Sequence, residues 1–332
     1  MSGAILLGML GCGRAAERLH VPALARTRGA RLTAAFDPRP ERRDLIARAA
    51  PGCRPFASAE ALFEARVVDA VIVASPPESH ANLVVLALRA GLPVLVEKPL
   101  AASLEEATWI REAERIVRLP VMVGFNRRWW EPVEAVRRAL AVYDEPEPTV
   151  ETTIVSDLVG WGALATPSDP LDDLATHHLD LLRHLLDREI ASVSSRRDAA
   201  QEIDLQVTFH GGGVARCHIG FGPRSVERIA VAAGPRRYEL RVGSDRMWPP
   251  DGPARRLLDL GDAVCRRALR RRGSLTRSYE CQLRGFVECV RSRAGASPGT
   301  TDGVAAMLAV EAARHSLARG GADMLVPPTP TT

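Results

Sequence analysis

Lysine is almost missing from this chain: one, Lys98, stands against 43 arginines in 332 residues, and asparagine occurs only at Asn82 and Asn126. Guanidinium stays charged at any working pH, so arginine cannot replace an amine that must give up a proton. Lys98 is therefore marked for chemistry before any motif is considered. Six cysteines, at 12, 53, 217, 265, 281 and 289, form no C-x-x-C pair. They are too sparse for a disulfide framework and fit reduced thiols in a cytoplasm. Aromatics make up 5%. Charge breaks every apolar run before the length a membrane span needs. The 44 basic and 40 acidic residues nearly balance, at net +4, which speaks against a dedicated nucleic-acid binder. The arginine runs at 255–256, 266–267 and 270–272 read as a solvated helix face. Ala4–Leu10 ahead of Gly11-Cys12 lacks a basic leader and reads as a strand.

The length suggests about two domains, divided here as 1–125 and 126–332. In the first part, apolar runs at Ala4–Leu10, Arg31–Phe36, Asp69–Ala74, Pro93–Val96 and Pro120–Gly124 alternate with helix-like segments. These segments are Ala15–Arg26, Arg39–Ala50, Ala59–Ala65, Ser79–Ala90 and Ser103–Arg118. That alternation predicts a doubly wound parallel sheet, a Rossmann-type α/β domain. Ser103 with Glu106 predicts a capping box. From residue 149 strands run in succession: Thr149–Val155, Ile190–Ser194, Ile203–Phe209, Val214–Phe221, Arg228–Ala233 and Tyr238–Val242. One apolar helix, Leu171–Leu186, interrupts them, and helices return at Ala254–Arg271, Leu275–Arg293 and Thr301–Arg319. The expectation is an α+β domain on an open, mostly antiparallel sheet, with a loose tail at Pro327–Thr332.

Gly11-x-Gly13-x-x-Ala16, with Arg14 inside it, follows the first strand and opens the first helix, the context a pyrophosphate-binding turn requires. Asp37 ends the second strand, where a carboxylate can accept the ribose hydroxyls of NAD; Arg39, Arg42 and Arg43 could instead meet a 2′-phosphate. NAD is the expected cofactor, with NADP as the alternative. Val94-Leu95-Val96 deliver Glu97-Lys98-Pro99 to the carboxyl end of a strand, where ligands of open α/β sheets sit. There the Lys98 ammonium can hydrogen-bond a substrate hydroxyl and assist its deprotonation.

Asp173, His177 and Asp180 recur at i, i+4, i+7 and predict one polar face on an apolar helix. His177 suits proton transfer, with Asp173 or Asp180 orienting its ring; His178 falls on the leucine side and is expected to pack. Trp129-Trp130 and Trp161 could stack on sugar C–H faces or pack in a core. No H-E-x-x-H or cysteine cluster points to a metal.

Together, G-C-G-R-A-A, Ser75-Pro76-Pro77 with His80, Glu97-Lys98-Pro99, the Gly124–Trp129 segment and the Asp173–His177–Asp180 helix resemble the glucose–fructose oxidoreductase / inositol dehydrogenase / MocA family. The resemblance implies a Rossmann domain that binds NAD(P) and a sheet domain that carries the substrate and mediates a homodimer or homotetramer. It implies hydride transfer on a sugar, cyclitol or related hydroxyl or ketone. By position Lys98, Asp173 and His177 match the catalytic set. Ser75, Pro76, His80 and Glu97 join Gly11, Gly13, Arg14, Ala16, Asp37 and Arg39 at the cofactor; Asn126, Arg128 and Trp161 border the substrate. The turn Pro167-Ser168-Asp169 and Ala175 depart from the family's glycines. Two other readings stay open: a nicotinamide-binding scaffold with a lapsed site, and a glycosidase acting by transient oxidation.

Overall fold

In a computed structural model, described over residues 3–142, 147–157, 169–241, 247–248 and 274–330, the chain divides into two compact units. The first comprises Met1–Asn126, Thr276–Met307 and Thr329–Thr332; the second comprises Arg127–Leu275 and Leu308–Pro328.

The first unit is built on six parallel strands: β1 Ile5–Leu10, β2 Ala30–Phe36, β3 Arg54–Phe56, β4 Ala70–Val73, β5 Val94–Val96 and β6 Val121–Val123. Their order is β3-β2-β1-β4-β5-β6. This is the doubly wound order in which the winding reverses between β1 and β4. Leu7, Met9, Leu10, Ile72, Val73 and Val96 are fully buried, as expected for strands covered on both faces. The apolar runs locate five strands to within one residue. The short edge strand β3 is missed, because Pro55 and two half-exposed or exposed neighbours leave no hydrophobic run.

The first predicted helix is two pieces. A π-helical turn, Ala16–His20, precedes α1 Val21–Leu24. Pro22 has no N–H to donate, while the Val21 N–H reaches back five residues to the Ala16 carbonyl. Then follow α2 Pro40–Ala49, α3 Ala59–Glu64, α4 His80–Arg89 and α5 Leu104–Val117. At α5, Ser103 Oγ accepts the Glu106 N–H at 3.1 Å. Glu106 reaches past the cap to the Ala102 N–H at 3.0 Å.

In the second unit α6 Glu131–Val142 precedes an eight-stranded sheet, ordered β13-β12-β11-β7-β10-β9-β8-β14. Its strands are β7 Thr149–Ser156, β8 Ile190–Arg197, β9 Ile203–Phe209, β10 Val214–Phe221, β11 Val226–Ala233, β12 Arg236–Arg241, β13 Met247–Trp248 and β14 Met324–Leu325. All neighbours are antiparallel except β7 and β10. Alternating burial along β9 and β11 marks one packed and one open face. The packed face meets the apolar side of α7 Thr176–Leu186, whose Leu179, Leu181, Leu182 and Leu185 are at most 1% exposed. The predicted single helix from Leu171 is again divided: Leu171–Ala175 is a π-helical turn capped by Asp169, whose Oδ1 accepts the Leu171 N–H at 2.9 Å.

The division of the chain also differs from a single cut after residue 125. Of the last two long helices, α8 Ser274–Ser292 and α9 Thr300–Ala318, residues 276–307 pack in the first unit. Gln282 Nε2 donates to the Val123 carbonyl at 3.3 Å, and Thr300 Oγ1 donates to Glu114 Oε2 at 2.5 Å. A Cβ at Gly303 would lie 2.9 Å from Leu100. The C-terminal tail is tied rather than loose: Arg111 donates to the Pro330 carbonyl at 2.7 Å. Residue 161, the helix expected at 254–271 and its arginine runs lie outside the described residues. No described helix is long and apolar enough to cross a membrane.

Replacing Ser103 by alanine removes one cap and should lower stability by about 1 kcal/mol. A urea midpoint that falls at unchanged slope is the expected signature; an unmoved midpoint contradicts the assigned cap.

Candidate active site

The turn after β1 is set by crowding. Gly11 sits at φ +94°, and a Cβ there would lie 2.6 Å from the Ser75 backbone nitrogen at the end of β4. Only glycine tolerates both the conformation and the approach. Gly13 differs: nothing but the Ala74 carbonyl, at 3.9 Å, comes within 4 Å of where its Cβ would stand, so its backbone faces open space. The helical ladder then opens with Glu17 N–H donating to the Gly13 carbonyl at 3.0 Å. Arg14 is half-buried on the turn and Ala16 is buried behind it. An open glycine backbone at a helix start suits a pyrophosphate.

Asp37 is 3% exposed at the end of β2. Its carboxylate accepts the Cys12 N–H at 2.8 Å and both the backbone N–H and Nε–H of Arg39 at 3.0 Å. Burial opposes its charge, yet the Arg39 and Cys12 hydrogen bonds together hold it below the usual carboxylate range. The neighbouring arginines are engaged as well. Arg42 donates to the Cys12 carbonyl and to Glu17, and Arg43 donates to the Asp37 carbonyl. An ionised Asp37 is fitted to ribose hydroxyls and repels a 2′-phosphate.

His80, predicted at the cofactor, is fully buried and bridges two strand ends instead. Its Nδ1 lies 2.8 Å from the Pro99 carbonyl and its Nε2 lies 2.9 Å from the Ser75 carbonyl. Burial holds this ring below its ordinary pKa despite the two carbonyls. Ser75 Oγ accepts from Ser79 at 2.6 Å, and Pro76 is exposed beside it. Glu97 is buried at 8%. Its Oε1 lies 2.7 Å from His20 Nε2, and its Oε2 accepts the Lys98 N–H at 3.2 Å. Burial opposes its ionisation, but His20 and then Lys98 outweigh that and keep it below the ordinary range. Lys98 follows, half-buried, before a cis peptide bond to Pro99. Asn126 is fully buried, with Nδ2 2.9 Å from Ser278 Oγ.

In the second unit two adjacent arginines fork onto buried carboxylates. Arg128 meets Asp180 at 2.6 and 2.9 Å; their side chains are 9% and 1% exposed. Arg127 meets Glu227 at 2.6 and 2.7 Å. The fork ties the segment after Asn126 to α7, three residues beyond His177. His177, 9% exposed, opens α7, while Asp173 is half-buried in the preceding π turn. The uniform α-helical spacing expected from Asp173 to His177 therefore does not hold, although His177 and Asp180 keep it.

His178 packs, as its place on the leucine side implies: it is fully buried, 3.9 Å from Glu227, and burial pushes it down to about 4. Trp130 belongs to the core of the second unit, which settles it as packing. Among the described residues no cluster of three or more His, Cys, Asp or Glu could hold a metal ion. Sequence reasoning missed His20, Glu227 and the Arg127 fork. The only available signal was a lone histidine ending the first helical turn; nothing local marks partners 77 and 100 residues apart.

Two outcomes test these electrostatics. Replacing Asp37 by serine should shift preference from NAD toward NADP at least tenfold, about 1.4 kcal/mol; an unchanged ratio of kcat/KM values contradicts the ribose role. Arg127, the larger of its two stabilising neighbours, overcomes burial to hold Glu227 below its ordinary 4.5. A depressed carboxylate contributes stability above pH 4.5 that is lost as pH falls through its lower folded value. Glu227→Gln should therefore unfold more easily at neutral pH, by about 3 kcal/mol, and lose part of the acid-induced fall in Tm; an equally steep acid limb contradicts the assignment.

Comparison with known proteins supplies the lineage. A family described as an oxidoreductase family with an NAD-binding Rossmann fold matches residues 5–125. Inositol 2-dehydrogenase 2 of Saccharopolyspora erythraea is 30% identical over 98% of this chain and 96% of its own. Inositol 2-dehydrogenase of Leifsonia xyli is 29% identical over 93% and 92%. A myo-inositol dehydrogenase of Lactobacillus casei, solved in complex with NAD(H) and myo-inositol, superposes with a TM-score of 0.77 at 20% identity, covering 99% of this chain and 98% of its own; at that identity it carries the fold. With a full-length relative at this level and the nucleotide turn in place, the chain belongs to the glucose–fructose oxidoreductase / inositol dehydrogenase / MocA family of NAD-binding oxidoreductases.

Proposed function

We propose that this chain is an NAD-dependent dehydrogenase acting on a hydroxyl- or ketone-bearing carbon of a cyclitol, sugar or sugar derivative. Full-length relatives named inositol 2-dehydrogenase support the substrate class. One observation carries the assignment of chemistry: the chain's single side-chain amine sits half-buried at the carboxyl end of β5, its backbone clamped by Glu97 and by His80 through Pro99. Bound NAD supplies the hydride acceptor at the nicotinamide ring. Lys98 hydrogen-bonds the substrate hydroxyl and takes part in moving its proton, with His177 as the partner base and Asp173 as its orienting carboxylate. Arg128, occupied by Asp180, acts by holding the helix that carries His177. Asn126 and Trp161 stay assigned to the substrate border. In the same reading the protein is a cytoplasmic homodimer or homotetramer. The open face of the second sheet, where Arg196, Arg216 and Arg228 alternate with Glu151 and Asp204, supports that contact by its self-complementary charge.

The test is nicotinamide absorbance across a panel of inositols, sugars and keto-sugars with NAD. Wild type should turn over at least one member of the panel. Lys98→Arg keeps the charge but not the transferable proton, and should lose about 10³-fold in kcat while still binding NADH. Near-normal turnover by Lys98→Arg removes its role.

A further inference from the structure

We infer that His20 is a positioning residue for the reaction at Lys98: it fixes the Glu97 carboxylate, and Glu97 in turn fixes the backbone that presents Lys98. The inference rests on the reading of Lys98 given above, and it assigns a task to a side chain that the nucleotide turn and the proton-handling set do not use.

His20 is the last residue of the π turn that begins at Ala16, so it stands at the far end of the segment opened by the Gly11–Gly13 turn. It is fully buried, and its Nε2 lies 2.7 Å from Glu97 Oε1. Glu97 is held on its other side as well. Its Oε2 accepts the Lys98 N–H, and a Cβ at Gly124 would lie 2.9 Å from that same oxygen, so only glycine at 124 leaves the carboxylate room in this position. The Tyr279 ring packs edge-on against the imidazole, with centroids 5.1 Å apart and planes at 85°, and fixes the ring's tilt. The segment that starts at the Gly11–Gly13 turn therefore leads through His20 and Glu97 to Lys98.

The second nitrogen of His20 argues that this is more than filler. Nδ1 is buried, with no hydrogen-bond partner among the described residues. Buried polar atoms are normally satisfied, and an unmet one calls for an explanation. A phenylalanine or leucine would fill the same space with no unmet atom. What an imidazole adds is the Nε2 hydrogen bond to Glu97, a charge-assisted contact that keeps the carboxylate ionised and oriented. With the charge so held, Glu97 and Lys98 attract each other as opposite charges in adjacent residues.

The experiment uses the full-length enzyme and exploits the fact that Lys98 is the only lysine. Protein grown with [13Cε]lysine shows one lysine resonance, which reports the amine's surroundings without cofactor or turnover. Kinetics with NAD and myo-inositol, or another panel member that wild type oxidises, are measured beside it. His20→Phe should move the resonance and lower kcat about tenfold or more, with KM for the polyol little changed, the kinetic equivalent of one lost charge-assisted hydrogen bond. His20→Gln, which returns an N–H at similar reach, should restore both in part. Glu97→Gln should match His20→Phe, and the double variant should cost no more than either alone, because both act through one path. A resonance and kcat unmoved by His20→Phe, or losses that multiply in the double variant, overturn the proposal. If His20→Phe does not fold, His20→Gln against Glu97→Gln carries the same comparison. The outcomes are separable: turnover by Lys98→Arg defeats the role of Lys98 itself, whereas a still resonance with a dead Lys98→Arg defeats only the role of His20.

Discussion

Everything at the nucleotide end of the first unit depends on how closely the ends of β1 and β4 approach. The missing Cβ of Gly11 would lie 2.6 Å from the Ser75 nitrogen, so the chain must turn there on glycine and continue straight into a helix start. Parallel pairing of β1 with β4, and of β4 with β5, then sets the carboxyl ends side by side. His80 joins two of them by touching the Ser75 and Pro99 carbonyls. The Lys98 backbone inherits its place from this arrangement. A doubly wound sheet offers a ligand crevice at this reversal as a matter of topology; the residues here determine what that crevice can do.

Buried charge is used in the same way in both units. His20–Glu97 in the first, and Arg127–Glu227 and Arg128–Asp180 in the second, each hold a carboxylate that burial alone would neutralise or expel. Such pairs are weak arguments for stability, because desolvation consumes most of the Coulomb attraction. They are strong arguments for geometry, since breaking one strands its partner. The two adjacent forks at Arg127 and Arg128 restrain the segment after Asn126 at two points, on β11 and on α7. The arginine-rich composition makes sense in this light. A planar fork suits bidentate positioning, while the one place that calls for an amine retains lysine.

What the sequence makes legible is what acts locally. Continuous apolar runs located the first sheet because its strands are buried on both faces, and the glycine spacing located the turn because conformation and close approach exclude other residues. The scarcity of lysine singled out Lys98 without any alignment. What escaped was non-local or non-ideal. Neither π turn follows from hydrophobic periodicity, although Pro22 stands two residues past the end of the first. The amphipathic helix α6, with Val133 and Val136 buried, was hidden between two stretches of aromatic and acidic residues. The return of residues 276–307 to the first unit depends on contacts such as Gln282 with Val123, 159 residues apart. His20 and Glu97 are each unremarkable in sequence and acquire meaning only as a pair.

In the proposed function the chemistry is direct: carbon-bound hydrogen would leave the polyol for the nicotinamide, with Lys98 and His177 assigned to the proton. Oxidation of a carbon-deuterated inositol or other panel polyol, followed by mass analysis of the reduced nucleotide, tests this most directly. The account predicts deuterium at the nicotinamide C4 on one face only, with slower turnover than for the protonated substrate. Reduced nucleotide free of deuterium, or no reduced nucleotide while the polyol is consumed, would contradict it.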